Sequence, residues 1–181
     1  MPKPLNRPIL AFAGLAGSGK STAARAVAAF APKAVVRPFA HGLKRAAHAL
    51  FGDFPKDDRG RRIYQTLGDY ALDIDPDFAI DRMAEFVDAN PGRHVVVDDI
   101  RTAEEAAWVL THPRSRIVWV VPNHETRSLE EIRAAATHPT ERLDAVDAPT
   151  VSARLYVTHG KPAMTGEEVR RVMAYYREVF K

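Results

Sequence analysis

The sequence predicts an α/β protein built on a central parallel sheet of five strands flanked by helices. Three observations predict it. Short apolar stretches alternate with helical patterns along the chain, the arrangement that closes into a parallel sheet with covering helices. The run "VVV" at 95–97 has no polar alternation, as expected of a strand buried on both faces. A glycine-rich turn joins the first apolar stretch, "ILAFA", to an alanine-rich helical segment.

Taken in order, "ILAFA" is the first strand, and Lys20 to about Phe30 is the helix that follows the turn. "KAVVRPFA" holds a second strand, stopped near Pro38. Leu43 to Phe51 has helical spacing, with Leu43, Ala47, Leu50 and Phe51 on one side. Two further helices are expected, Arg59 to about Tyr70 and Asp77 to about Asp88, the second opened by "DPD". "RHVVVDDIR" supplies the third strand, "TAEEAAWVL" a crossover helix and "RIVWVV" the fourth strand. Trp108 and Trp119 fall on core faces of these last two and read as packing. Residues 122–148 are polar and charged around the helical pattern "SLEEIRAAA". "ARLYVT" is the fifth strand, and Thr165 to Phe180 is a closing amphipathic helix that Thr165 can cap. No repeat or Gly/Ser linker divides the chain, so one domain over 1–181 is expected, with 33–92 as an acceptor-binding helical segment and 122–148 as a lid segment.

Composition narrows the setting. Hydrophobic residues make up 46% of 181 positions, enough for a core, and cysteine is absent, which excludes disulfides and thiolate metal sites. No apolar run approaches the roughly 20 residues of a membrane span, so a soluble, cytoplasmic protein is expected, monomeric or homodimeric. Net charge is only +3, but it is unevenly spread. Residues 33–62 carry eight Lys/Arg against three Asp, and residues 63–91 carry one Arg against seven acids. A positive segment beside a phosphate-binding turn attracts an anionic substrate. The same pattern also fits two solvated helix faces of opposite sign, which charge alone favours.

The turn itself reads "GLAGSGKST" and satisfies G-x-x-x-x-G-K-[ST] through Gly14, Gly19, Lys20 and Ser21. Glycines let backbone N–H groups turn inward around phosphates, and the helix that follows adds positive potential. Gly14, Ala16, Gly17, Ser18, Gly19, Lys20, Ser21 and Thr22 therefore form the expected cradle for the phosphates of ATP. Lys20 is placed to reach the outer phosphates and Ser21 to complete a Mg²⁺ shell. Such sites also use an Asp at the end of a neighbouring buried strand. "VVVDD" offers Asp98 and Asp99, which point to opposite faces, so one of them faces the nucleotide and spacing does not say which. Arg101 follows at the carboxyl end of the strand, where an arginine can clamp a transferring phosphoryl group.

The remaining stretches carry a resemblance. "FAHGLKRAAHALFG", "RRIYQTLGDYALDIDPDFAIDRM", "VVVDDIRTAEEAAWV" and "THPTE" at 137–141 resemble, in order and spacing, the bacteriophage-type deoxynucleoside monophosphate kinases. The likeness runs from about Gly14 to Glu141. It implies a P-loop kinase fold and transfer of the ATP γ-phosphoryl group to a deoxynucleoside monophosphate. Matched residue by residue, it implies Phe39, Lys44, Arg62 and Gln65 for the acceptor and favours Asp99 over Asp98 for the metal. Arg101, Arg127 and Arg133 then act on the transferring phosphate, the last two from a lid. The chain departs from the family where "LGDYALDIDPDFAI" lacks an Arg after Leu-Gly and has Ala79 near an expected Trp. It also reads "WVVPNHE" where an Arg usually enters the lid. Those departures leave the acceptor open.

The sequence lacks the N-K-x-D motif of GTPases. Beside the leading reading stand a P-loop kinase acting on a nucleoside, another small metabolite or a modified base in DNA, and a nucleotide-dependent binding protein without turnover. Nucleotide substrates are thus the expected partners, with nucleic acid ranked below them and no membrane.

Overall fold

The computed structural model describes residues 7–15, 17–55, 57–122, 153–158 and 163–181. Five strands, β1 (Ile9–Ala13), β2 (Ala34–Val36), β3 (His94–Val97), β4 (Arg116–Pro122) and β5 (Ala153–Val157), form one sheet in the order β2-β3-β1-β4-β5. Every pairing is parallel. Six helices are described: α1 (Lys20–Phe30), α2 (His41–Phe51), α3 (Asp58–Ile74), α4 (Phe78–Ala89), α5 (Ala103–Thr111) and α6 (Gly166–Val179).

Parallel strands buried on both faces account for the two cores. From β1, Ile9, Ala11 and Ala13 pack with Ile80, Met83 and Val87 of α4 and with Trp108 and Val109 of α5. Leu10 and Phe12 turn the other way, towards Ala23, Ala24 and Val27 of α1 and Val172 and Met173 of α6. β3 repeats the division, with Val95 and Val97 on the α4–α5 side and Val96 on the α1–α6 side. Trp108 is buried and Trp119 half-buried against the α4–α5 core, so both pack as expected.

The helix ends follow their local chemistry. Thr165 and Glu168 make a reciprocal capping box at α6, and Thr102 and Glu105 make another at α5. Asp57 caps α3 by accepting from the Gly60 N–H at 2.8 Å. α3 runs past the expected stop near Tyr70 to Ile74, with Gly68 inside it facing Leu43 of α2. The apolar side expected of α2 is only partly used. Ala47 is buried, but Leu50 and Phe51 are 68% and 55% exposed. No helix among the described residues is long and apolar enough to cross a membrane.

Candidate active site

Among the described residues, the loops that follow β1, β2 and β3 leave the carboxyl ends of the strands, where open parallel sheets bind ligands. β1 is central and opens directly into the phosphate loop. Gly14, Gly17 and Gly19 have φ of 137°, 73° and 98°, which residues with a side chain rarely adopt. At Gly14 a Cβ would also lie 2.6 Å from the Val120 carbonyl oxygen of β4, so glycine is required on two counts. Ser18 N–H donates to the Leu15 carbonyl at 3.1 Å and closes the turn. α1 then starts at Lys20 with no side-chain cap, which leaves its first-turn N–H groups directed at the loop. Lys20 Nζ donates to the Gly14 and Leu15 carbonyls at 2.6 and 2.7 Å. Ser21 is exposed on this first turn and Thr22 half-buried, while Ala16 lies outside the described residues.

Two buried oxygens at this end of the sheet lack a hydrogen-bond partner among the described residues, Ser18 Oγ and Asp98 Oδ1. A buried, unpartnered hydroxyl and carboxylate oxygen are costly unless a ligand completes them. Together with the glycine loop and Ser21, they fit a phosphate chain carrying Mg²⁺.

The neighbouring carboxylate has a different setting. Asp99 continues the parity of Val95 and Val97 towards the α4–α5 side and is buried. Its Oδ1 accepts from Phe39 N–H at 2.6 Å and its Oδ2 from Ala40 N–H at 3.1 Å. Lys44 Nζ lies 3.9 Å from Oδ2. Burial raises the Asp99 carboxyl above the ordinary carboxylate range, against the pull of Lys44. Asp99, which the Asp-x-Arg match favours, is thus occupied by two backbone N–H groups, whereas Asp98 keeps one oxygen without a partner among the described residues.

Asp99 also lines a cavity of about 230 Å³ between α2, α3, α4 and the start of α5. Phe39, Lys44, Gln65 and Arg101, four residues singled out in the sequence, line it too. Arg62 does not, and Arg61, one position earlier on α3, takes that place. Leu43, Tyr64, Leu72 and Phe78 give the cavity an apolar wall, while Lys44, Arg61 and Arg101 give it a cationic one. Phe39 serves packing as well, buried edge-on against Trp108 with ring centroids 5.8 Å apart. Arg127 and Arg133 lie outside the described residues, as do the "THPTE" element and residues 123–148 of the expected lid.

Glu105 was not singled out by sequence as a site residue. It lies at the cavity, with its Oε2 accepting from Arg101 N–H at 2.7 Å and Thr102 N–H at 3.3 Å. Burial, seconded by the charge of Asp99, pushes its carboxyl up to about 8. The signal that could have found it is the T-x-x-E capping pattern directly after Asp-x-Arg.

No protein-family model matches the sequence, and no curated protein matches it. Solved structures do resemble the fold. TT1252 from Thermus thermophilus is similar with a TM-score of 0.58 and 16% identity, covering 98% of this chain and 100% of its own. The dephospho-CoA kinase of Campylobacter jejuni is similar with a TM-score of 0.51 and 10% identity, covering 97% of this chain and 99% of its own. At such identities the likeness concerns architecture: a five-stranded parallel sheet flanked by helices, in the fold of P-loop kinases.

Proposed function

We propose that this protein is an ATP- and Mg²⁺-dependent kinase that transfers the γ-phosphoryl group to a deoxynucleoside monophosphate. The observation that carries the reading is the two-sided cavity at the same end of the sheet as the phosphate loop. Its apolar wall of Leu43, Tyr64, Leu72 and Phe78 suits a flat base, and its cationic wall of Lys44, Arg61 and Arg101 suits a phosphate. Gln65 is the polar residue available to a base edge.

The donor side rests on the loop. Backbone N–H groups and Lys20 hold the ATP phosphates, and Ser21 with Asp98 would hold Mg²⁺. When bound, the metal neutralises charge on the outer phosphates. Phosphoryl transfer asks little covalent chemistry of the protein, so the task of this chain is to align the acceptor oxygen and spread negative charge. Arg101 does so from the end of β3, and Arg127 and Arg133 are assigned the same role by resemblance. Monomer or homodimer, and a single catalytic domain over 1–181, complete the reading.

A second reading keeps the kinase and changes the acceptor to a nucleoside or another small hydroxylated metabolite. The presence of Asp99 and Glu105 on the cavity wall favours it, because carboxyl groups exchange hydrogen bonds with an acceptor hydroxyl. Following ADP release with Mg²⁺-ATP and each deoxynucleoside monophosphate, nucleoside and oligonucleotide separates the two. Acceptor-dependent ADP with a monophosphate is the expected result. Turnover confined to unphosphorylated acceptors sinks the first reading in favour of the second. Lys20→Ala should lower turnover by about 10²–10³-fold, the scale of removing one preorganised donor.

A further inference from the structure

A second cavity, of about 390 Å³, lies on the opposite side of α2, against the end of β2 and the outer face of α4. Arg37, His41, Arg45 and Arg82 line it, with Met83 at its inner wall. It shares only Phe39 with the acceptor cavity. Of the three arginines, only Arg82 pairs with a carboxylate among the described residues, Glu85 at 2.9 Å. The Arg37 guanidinium sits 4.4 Å above the Phe86 ring, which holds it at the cavity without neutralising it.

The charges are concentrated enough to oppose one another. Arg37 is made less basic by burial and then by the charge of Arg45. His41 is lowered by burial and then by Arg37, Arg45 and Lys44 in turn. Arg37 and Arg45, which have no carboxylate partner among the described residues, repel each other across the concavity, and an anion seated between them relieves that repulsion. Guanidiniums are also the side chains whose forked donors fit phosphate oxygens. The uncompensated charge converges on a compact space, rather than running as a continuous basic track of the kind a polynucleotide backbone needs.

We propose that this cleft is a second anion site, separate from the phosphate loop and the acceptor cavity, which binds the phosphate group of a small phosphorylated molecule through Arg37, Arg45 and Arg82. α2 separates the two cavities, with Lys44 on one side and His41 and Arg45 on the other, so occupancy of the cleft bears directly on the helix that carries Lys44. The proposal does not depend on which acceptor is phosphorylated.

His41 lines the cleft and serves as its reporter, and the Arg45 and Arg82 variants distinguish the cleft from the acceptor cavity, which neither residue lines. Its ring resonances are followed by NMR in the full chain, with the phosphate loop first filled by Mg²⁺ and a non-hydrolysable ATP analogue. Inorganic phosphate, pyrophosphate and a single-stranded oligonucleotide are then titrated separately. Phosphate or pyrophosphate should shift His41 saturably and raise its pKa. Arg45→Ala and Arg82→Ala, both at exposed positions, should each weaken that binding about tenfold, the scale of one charge-assisted hydrogen bond, with ATP-analogue affinity unchanged. No saturable shift, or equal affinity in the variants, overturns the proposal. Saturation by the oligonucleotide alone overturns it in favour of a polynucleotide contact.

Discussion

Asp99 and Phe39, sixty positions apart, are joined by a 2.6 Å hydrogen bond from the Phe39 N–H to the buried Asp99 carboxylate. A second bond from Ala40 N–H makes this a two-point brace between the end of β3 and the turn that launches α2. The brace fixes where Lys44 and Leu43 meet the acceptor cavity. Asp99→Ala leaves two N–H groups without their acceptor. Each such loss costs about 1–3 kcal/mol, so a destabilisation of about 2–6 kcal/mol is expected in urea unfolding. Acceptor KM should rise and the Mg²⁺ requirement stay the same. A higher Mg²⁺ requirement in this variant would return the metal role to Asp99.

Asp98 carries the complementary expectation. Its Oδ1 is buried and has no hydrogen-bond partner among the described residues, so Asp98→Asn keeps shape and costs little stability. The Mg²⁺ concentration for half-maximal turnover should rise by at least the 10–100-fold typical of disturbed metal sites. A magnesium titration at saturating ATP measures it, and an unchanged midpoint would remove Asp98 from the metal.

The contrast between these two carboxylates shows where the sequence runs out. Strand alternation says that Asp98 and Asp99 face opposite ways, but the direction depends on which helices cover which face, and that is a tertiary outcome. The phosphate loop was legible because its chemistry is local: glycines, a lysine and a helix start within nine residues. The five strands and most helices were legible from periodicity for the same reason. Arg61 displaced Arg62 because neighbours on a helix point about 100° apart, so the phase set at Asp57 and Gly60 decides which one reaches the cavity. The basic cleft was illegible as a site. Charge counting saw the surplus in 33–62 but not that Arg82, from the acidic stretch, would join it.

Gly60 sets that phase through space rather than backbone freedom. It is buried in the first turn of α3, and a Cβ there would clash with the Pro55 carbonyl oxygen and lie 2.9 Å from Phe54 Cδ2. Alanine normally improves a helix by about 1 kcal/mol over glycine, while overpacking costs about 1–3 kcal/mol. The backbone carbonyl cannot step aside as a flexible side chain would, so overpacking wins. Gly60→Ala should lower stability and raise acceptor KM, because Arg61, Tyr64 and Gln65 move with α3. Gly92→Ala, with nothing within 4 Å of its added Cβ, is the control and should be near neutral. Equal stability of the two variants would show that α3 has room at its start.

Glu105 makes stability depend on pH. Its carboxyl titrates near 4.5 when exposed and is pushed up to about 8 in the folded protein. Between those values the folded state binds more protons than the unfolded state, so stability falls as pH rises from about 5 to 8. Below 4.5 both states are protonated and the penalty disappears. Glu105→Gln removes the titration while its amide oxygen still accepts from Arg101 and Thr102, so the start of α5 is kept. The fall in urea midpoint from pH 5 to pH 8 should therefore be shallower in the variant. It should not vanish, because burial raises Asp99 as well and that carboxyl contributes a slope of the same sign. Parallel pH profiles for the two proteins would mean that Glu105 is already ionised in the fold, with the cavity open enough to water to hydrate it.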